Sequence, residues 1–252
     1  MTVKYDLHIH SCLSPCGDNS MTPAMIAGIA KIMGLDIIAL CDHNSSLNCT
    51  AFMRAAEFYE ITALCGMEIT TAEDIHVLCL FDKIDNALRF HEYVQSHRSS
   101  HPNDARIFGD QLIVDEYDTV IGTADNMLVT ASKIGFNDVY ELVVQHGGAA
   151  VPAHIDKTSD SAFAFLGEVP IESRFNTYEI YRRGEGLRDK AARIDPFIPK
   201  RETSPRFIVN SDAHYLNEIG IAGSIFAIPN EDIITFGGLA GAVLHHLRND
   251  NT

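Results

Sequence analysis

The sequence contains no apolar stretch of the roughly 18 residues that a membrane-spanning helix requires. Its first ten residues, MTVKYDLHIH, also lack the charged start and apolar run that are typical of a secretory signal. These two absences argue against a membrane partner and favour a cytoplasmic location. They also bear on the six cysteines, because thiols of a chain that is not secreted are expected to stay reduced.

Positive charge is also scarce in this sequence. Lys and Arg total 19 whereas Asp and Glu total 34, which gives a formal net charge of −15 at pH 7. A chain with this excess of carboxylates repels polyanions at long range, so we expect no long nucleic acid as a partner. A small phosphorylated substrate or a short nucleotide is compatible with the charge, because bound divalent cations cancel part of it. The oligomeric state leaves no clear mark in the sequence.

The chain alternates between strand-like and helix-like patterns. Apolar strand-like runs occur at residues 3–10, 36–43, 63–70, 75–81, 149–156, 177–182, 206–214 and 223–230. Helix-like patterns separate most of them, and this alternation favours a mostly parallel sheet covered by helices. At least seven strands favour closure into a barrel, so we predict an α/β barrel that resembles a TIM barrel.

Residues of about 84–147 interrupt the alternation. They combine a helical pattern at 83–98, a hairpin pattern at 111–122 and a second helical pattern at 136–148. A chain of 252 residues can form one large α/β domain. We predict a single domain over residues 1–252, in which the segment of about 84–147 is an insertion over one end of the barrel.

Imidazole and carboxylate side chains recur at the ends of the apolar strands. HIH ends the first strand, CDH the second and MEIT the third, and IHVL, PAHID and NSDAH lie on or end three others. In a barrel these strand ends converge on one mouth, where the active sites of such folds lie. A single histidine there is most often structural, but six independent segments predict a shared site.

A multinuclear metal site is the chemistry that these side chains can share. Imidazole and carboxylate ligands suit Zn, Mn or Fe. His8 and His10 point the same way because residues two apart share one face of a strand, and a carboxylate such as Glu68 can bridge two cations. Two cations about 3.5–4 Å apart can hold a hydroxide and position it for in-line attack on phosphorus.

In order and spacing, these motifs resemble the polymerase and histidinol phosphatase (PHP) family of metal-dependent phosphoesterases. The resemblance rests on HIH at 8–10, DH at 42–43, GMEIT with Glu68, a strand histidine at His76, PAH with His154, and NSDAH with Asp212 and His214. It implies a distorted seven-stranded (β/α)7 barrel of the PHP type, with two or three divalent ions, Zn, Mn or Fe, at its mouth. It also implies hydrolysis of phosphate esters, with histidinol phosphate, nucleotides and short nucleic acids among the family's substrates.

The resemblance also assigns roles to individual side chains. Glu68 resembles the carboxylate that bridges two metals, and Asp212 and His214 resemble the pair that closes the site, in which Asp212 also orients the attacking water. The metal ligands that the resemblance implies are His8, His10, Asp18, His43, Glu68, His76, His154, Asp212 and His214.

The loop after the first strand departs from the family pattern. Many relatives read HxHSxxSDGxxTP, with an aspartate five residues after the second histidine, where this chain has Pro15. Counting backward from Thr22 and Pro23 aligns Asp18 with that aspartate if three residues are inserted. Counting forward places Cys16 near a position where some relatives carry a histidine, and Zn²⁺ accepts sulfur ligands well. We favour Asp18 and keep Cys16 as the alternative.

A phosphate substrate also needs a positively charged contact from the protein. Arg182 and Arg183 follow a predicted strand near the mouth, and the planar guanidinium matches phosphate oxygens. Lys157, directly after HID, is a second candidate. The predicted catalytic residues are Asp212, His214 and Arg183, of which Asp212 or His214 handles protons and Arg183 anchors the phosphate.

The predicted function is hydrolysis of small phosphorylated metabolites or nucleotides, with a metal-bound hydroxide as the nucleophile. Two alternatives stay open. An amidohydrolase-like enzyme would use similar ligands on a non-phosphate bond, but such enzymes usually need a metal-binding lysine at a strand end. No lysine lies inside an apolar strand of this sequence. A non-catalytic metal-binding module is the other alternative, and it should have lost several ligand positions that this chain retains.

Overall fold

The computed structural model describes residues 1–181 and 187–248. The strands are β1 (Thr2–Ile9), β2 (Ile37–Leu40), β3 (Thr62–Thr70), β4 (His76–Phe81), β5 (Leu112–Val114), β6 (Val120–Thr123), β7 (Ala149–Pro152), β8 (Thr177–Glu179), β9 (Arg206–Ile208) and β10 (Ser224–Ala227). The helices are α1 (Pro23–Ile32), α2 (Cys49–Phe58), α3 (Ile84–Ser96), α4 (Ala105–Phe108), α5 (Phe136–Gln145), α6 (Ala162–Leu166), α7 (Leu187–Ile194), α8 (Asn230–Thr235) and α9 (Leu239–Arg248). None of the described helices is long and apolar enough to cross a membrane.

A curled sheet with the spatial order β10-β1-β2-β3-β4-β7 dominates the fold. The separate parallel pair of β8 and β9 continues the curl. The Ile155 amide after β7 donates to the carbonyl oxygen of Glu179 in β8, and the His10 amide donates to the carbonyl oxygen of Ala213, which follows β9. The result is a distorted barrel-like α/β fold, so the predicted fold class is confirmed, whereas the count of seven barrel strands stays a prediction.

The expectation of a mostly parallel sheet is wrong for β4 and β10. β1, β2 and β3 run parallel, but β4 is antiparallel to β3 and β7, and β10 is antiparallel to β1. The reversal of β4 follows from its short connection to β3, because a parallel pair needs a crossover of about a dozen residues or more. As a consequence, His76 at the start of β4 pairs with Thr70 at the end of β3 and lies at the same end of the sheet.

The central strands are buried on both faces, which explains their continuous apolar sequences. In β2, Ile38 and Leu40 belong to one apolar cluster together with residues of α1, α2, α3 and α5. Ile37 and Ala39 belong to a second cluster, on which α9 packs. These two clusters hold the strand ends in place, so the polar residues that follow the strands are fixed relative to one another.

The hairpin predicted at 111–122 is present as β5 and β6. Near the C-terminus, Gly237 and Gly238 adopt φ values of +74° and +128° and separate α8 from α9. The single domain over 1–252 and the insertion at about 84–147 stay predictions.

Gly66 lies in the middle of β3, where the backbone of β4 comes very close. A Cβ at this position would lie 2.1 Å from the carbonyl oxygen of Cys79. We expect Gly66→Ala to lower the free energy of unfolding by about 2–3 kcal/mol, because the two strands must move apart. Denaturant unfolding measures the loss. Gly122→Ala in β6 is the matched control, since its Cβ would meet only Ile113 Cδ1 at 3.9 Å, and equal losses in both variants would contradict the expectation.

Candidate metal centre

The end of the sheet that carries the carboxyl ends of β1, β2 and β3 gathers a cluster of imidazoles and carboxylates. The reversed strand β4 contributes through its first residue, and β7 and β9 contribute through the residues that follow them. The predicted ligands that the structure brings together are His8, His10, His43, Glu68, His76, His154, Asp212 and His214. With the exception of His76, Asp212 and His214, these side chains are almost completely buried.

His8, His10 and Asp212 converge on one point together with Glu68. The Nε2 atoms of His8 and His10 are 3.1 Å apart, and each lies 3.3–3.4 Å from Asp212 Oδ1. The two Nε2 atoms lie 3.5 and 3.4 Å from the carboxylate oxygens of Glu68. Ligand atoms at about 2.0–2.1 Å from a tetrahedral Zn²⁺ are about 3.3 Å apart, so the spacing of the two imidazole nitrogens from each other and from each carboxylate fits a bound cation.

The hydrogen bonds behind His8 and His10 leave the two Nε2 atoms available. His8 Nδ1 lies 3.0 Å from Glu179 Oε2, which can only accept, so Nδ1 carries the proton. His10 Nδ1 lies 2.9 Å from Ser14 Oγ, whose own proton is donated to Asp42 Oδ1. Both Nε2 lone pairs therefore face the same point. Burial alone would lower the pKa of His8, yet the carboxylates of Glu179 and Asp212 raise it well above its usual range, so this point favours positive charge.

Glu68 lies at the centre of the cluster. Its Oε1 is 2.9 Å from His76 Nδ1 and 3.1 Å from His154 Nε2, and its Oε2 is 3.1 Å from His43 Nδ1. Burial would raise the pKa of Glu68, but His76 and His8 hold it well below its usual range. A buried carboxylate that is ionised and faces imidazoles from several strands has the position expected of a ligand shared by two cations.

Two carboxylates that support the predicted ligands, Glu179 directly and Asp42 through Ser14, were not among the functional residues predicted from the sequence. Glu179 Oε2 also accepts the His154 amide at 2.9 Å, and Glu179 Oε1 accepts Asn210 Nδ2 at 2.7 Å. Asp42 accepts the amide and hydroxyl of Ser11 at 2.7 and 2.6 Å. Glu179 ends a strand at the same mouth, and that position is the signal that could have identified it. Such partners orient metal-binding imidazoles and set their tautomers.

The structure places Asp18 outside the cluster, contrary to the preference for it in the sequence analysis. Its exposed carboxylate accepts the amide and hydroxyl of Ser20 at 2.9 and 2.5 Å. Cys16 instead lies at the cluster, with Sγ 3.1 Å from His214 Nε2. The reason is a tight turn in which the Gly17 amide donates to Ser14 O, so that Cys16 faces the cluster and the next residues lead outward.

The structure describes one of the three residues that were predicted to contact the phosphate. Arg182 and Arg183 lie outside the described residues. Lys157 is at the mouth, with Nζ 3.3 Å from Asp212 Oδ2 and 5.3 Å from the centre of the Tyr181 ring. Its side chain is 30% exposed, so a substrate phosphate can reach it.

Three sets of side chains in the described part of the chain have ligand atoms close enough to hold a metal ion. They are His8 with His10 and Glu68, His43 with Glu68 and His76, and His10 with Cys16, His43 and His214. Two buried imidazole nitrogens, His43 Nδ1 and His154 Nδ1, also lack hydrogen-bond partners within the described residues. The donor types, their spacing and these unpaired atoms fit divalent metals of the Zn, Mn or Fe type.

A family model described as the PHP domain matches residues 6–179. The chain therefore belongs to the PHP domain family, which confirms the family predicted from the motifs. A curated relative, a 5′-3′ exoribonuclease of Haemophilus influenzae, is 32% identical over 139 residues. That alignment covers 52% of this chain and 49% of the relative, so the chain spans about half the length of the curated relative that it matches.

Solved structures share the fold at low sequence identity. The lesion-specific endonuclease PfuEndoQ from Pyrococcus furiosus has a TM-score of 0.61 at 16% identity, covering 100% of this chain and 57% of that one. A putative metal-dependent phosphoesterase from Bifidobacterium adolescentis has a TM-score of 0.56 at 16% identity, with 84% and 87% covered. At these identities the likeness shows the shared fold alone. Membership of the PHP domain family supports the predicted enzyme class, a hydrolase of phosphoric esters.

The expectation of no long nucleic acid as a partner is wrong in the light of these relatives. The curated relative is named an exoribonuclease. A structure of Endonuclease Q, with a TM-score of 0.52 at 18% identity and 86% and 50% covered, contains a 27-mer duplex with an abasic lesion at the active site. The inference from net charge failed because the charge of a whole chain does not describe the local field at a site that binds several cations.

Proposed function

We propose that this chain is a metal-dependent phosphoesterase that hydrolyses phosphodiester bonds of nucleic acids. The observation that carries the proposal is the convergence of His8, His10 and Glu68 at the spacing of ligands around one cation. The nucleic-acid substrate is supported by the names of the exoribonuclease relative and the endonuclease neighbours, which act on RNA and DNA.

His8, His10 and Glu68 would hold one cation, with Asp212 Oδ1 3.3–3.4 Å from both imidazole nitrogens, and Glu68 with His76 would hold another. When bound, such cations neutralise the charge that develops on phosphorus and activate a water molecule. His154, whose Nε2 lies 3.1 Å from Glu68 Oε1, is close enough to join the second set. The role of each of these side chains as a ligand is part of the proposal.

Asp212 and Lys157 would act on the substrate side of this centre. Burial would raise the pKa of Asp212, but His8 and His10 hold it well below its usual range, so the carboxylate is ionised. An ionised carboxylate at the mouth can accept a hydrogen bond from the attacking water and so orient it. Lys157 Nζ, which lies 3.3 Å from Asp212 Oδ2, can contact a phosphate oxygen next to the attacked phosphorus. The roles predicted for His214 in proton transfer and for Arg183 in phosphate binding are retained as proposals.

The test compares substrates on protein that carries its native metals. A 5′-phosphorylated oligoribonucleotide, an oligodeoxyribonucleotide and an abasic duplex are assayed beside small phosphate monoesters, including histidinol phosphate and nucleotides. We expect at least one oligonucleotide to be cleaved with a kcat/KM about tenfold or more above that of every monoester. Chelation should abolish the cleavage, and added Zn²⁺ or Mn²⁺ should restore it, because phosphoester hydrolysis of this type depends on the cations.

The outcomes separate the parts of the proposal. Hydrolysis of monoesters alone would contradict the nucleic-acid substrate and leave the phosphoesterase. Activity that survives complete metal removal would contradict the metal-dependent chemistry. Bound metals without turnover of any phosphoester would overturn the proposed function and favour a metal-binding module or a hydrolase of another bond.

A further inference from the structure

Cys16 adds a thiol to a cluster that otherwise consists of imidazoles and carboxylates. It lies in a compact loop in which the Ser14 amide donates to Ser11 O at 3.1 Å and the Gly17 amide donates to Ser14 O at 2.9 Å. The loop is tightly packed at Gly17, where a Cβ would lie 2.5 Å from the Ser11 carbonyl oxygen. The position of the Cys16 thiol is therefore set by the backbone of the loop.

The imidazole that faces Cys16 presents an unprotonated nitrogen to it. His214 Nδ1 lies 2.8 Å from the carbonyl oxygen of Asp212, which can only accept, so Nδ1 carries the proton of the neutral ring. The lone pair of His214 Nε2 then points at Cys16 Sγ, 3.1 Å away. The His214 ring also stacks on His10, with centroids 4.3 Å apart, which holds its orientation.

A second imidazole in the same set has an unpaired buried nitrogen. His43 is only 6% exposed, and its Nδ1 has no hydrogen-bond partner among the residues that the structure describes. Glu68 Oε2 is 3.1 Å from this nitrogen but does not complete a hydrogen bond with it. A buried polar atom without a partner costs free energy unless something else satisfies it, and a metal ion does so for an imidazole nitrogen.

We propose that Cys16, His43 and His214 bind a divalent metal ion through one thiolate sulfur and two imidazole nitrogens, and that this position selects thiophilic metals. The ligand atoms of these residues, together with one from His10, lie within 4.8 Å of one another. Sulfur ligands favour Zn²⁺ and Co²⁺ over Mn²⁺ and Mg²⁺, which prefer oxygen. When the metal binds, the thiol releases its proton to solvent and the sulfur–metal bond forms.

This inference rests on the proposed function, because the position adjoins the same metal centre, but it is specific to this chain. The PHP pattern implies an aspartate or a histidine in this loop, and Asp18, the aspartate that the spacing favoured, points away from the cluster. A thiolate in that place would make one position of the centre differ in metal preference from the positions formed by imidazoles and carboxylates alone.

Cobalt titration of the metal-depleted, full-length protein tests the proposal without relying on activity. A thiolate bound to Co²⁺ produces a sulfur-to-metal charge-transfer band in the near ultraviolet, which imidazole and carboxylate ligands do not produce. We expect the band in the wild-type protein and its loss in Cys16→Ser, with one fewer Co²⁺ bound tightly per chain. Cobalt affinity at that position should fall at least about tenfold, since the loss of a partner of a ligand alone costs this much.

Two variants of the same loop serve as controls. Cys12→Ala removes a buried thiol whose Sγ lies 3.8 Å from Leu112 O and 3.9 Å from Asn48 Nδ2, and it should keep the band. Asp18→Asn should keep both the band and the cobalt stoichiometry. If Asp18→Asn rather than Cys16→Ser loses a metal ion, Asp18 is the loop ligand and the proposal is overturned.

The possible failures of the two proposals are distinguishable. Wild-type protein that binds cobalt and hydrolyses phosphoesters, but shows no sulfur-to-cobalt band, overturns the role of Cys16 and leaves the phosphoesterase intact. Wild-type protein that binds no cobalt, zinc or manganese overturns the metal centre as a whole. A Cys16→Ser variant that unfolds is replaced by Cys16→Ala, and circular dichroism checks the fold of each variant before titration.

Discussion

Glu68→Gln is expected to lower kcat/KM for phosphoester hydrolysis by about 1,000-fold or more and to strip metal from the protein. The carboxylate faces His76, His154 and His43 within 2.9–3.1 Å. An amide removes the negative charge and turns one oxygen into an NH₂ group, which cannot bind a cation. Loss of a ligand that serves two cations removes several kcal/mol of transition-state stabilisation, and each 1.36 kcal/mol corresponds to about tenfold in rate.

The measurement is steady-state kinetics on the best phosphoester substrate, with metal content determined by elemental analysis of the same samples. Glu57→Gln on α2 is the matched control, because this glutamate is exposed and lies outside the cluster. It should keep wild-type activity and metal content. A Glu68→Gln variant that retains both its metals and its activity would show that Glu68 is not a shared ligand, whatever its position.

Glu179→Gln is expected to lower activity and metal affinity by about 100-fold although Glu179 itself is not a predicted ligand. Its carboxylate receives three buried donors: His8 Nδ1 at 3.0 Å, the His154 amide at 2.9 Å and Asn210 Nδ2 at 2.7 Å. An amide has one acceptor oxygen and no charge, so one of these donors loses its partner and the preference for the His8 tautomer weakens. Partners of this kind change metal affinity or activity by about 10–100-fold, and the upper end is expected where several donors share one carboxylate.

A competition titration with a chromophoric chelator measures Zn²⁺ affinity in the Glu179→Gln variant, and kcat/KM is determined in parallel. Glu172→Gln is the control, since this glutamate is exposed in the turn before β8. A reduced affinity that excess Zn²⁺ compensates would support an orienting role. Unchanged affinity combined with lower kcat would instead place Glu179 in the chemistry of the reaction.

The motifs at the strand ends were sufficient to predict most of the cluster. In HIH the two histidines are separated by one residue, and β1 carries both to one point because alternate residues share a face of a strand. Glu68, His154 and Asp212 were predicted by the same rule, since the ends of neighbouring strands converge. The family follows from the order of these motifs, and the match over residues 6–179 confirms it.

The short connection between β3 and β4 carried information that the sequence analysis did not use. A histidine at the start of a strand belongs at the opposite end of a parallel sheet, yet His76 lies 2.9 Å from Glu68. The residues between Thr70 and His76 are too few to form a parallel crossover, so β4 runs antiparallel to β3. The first residue of β4 therefore lies at the end of the sheet where Glu68 lies.

The types and order of the side chains at the strand ends are local features of the chain, so they were enough to predict the family. Only the tertiary structure showed that the loop presents Cys16 and not Asp18 to the cluster, because that choice depends on a turn packed against His214. The strand-end position of Glu179 was a usable signal, but only the tertiary structure showed that its carboxylate contacts His8, 171 residues away along the chain. Hydrogen bonds between such distant segments depend on how the strands close around the barrel, and no local pattern of residues encodes that closure.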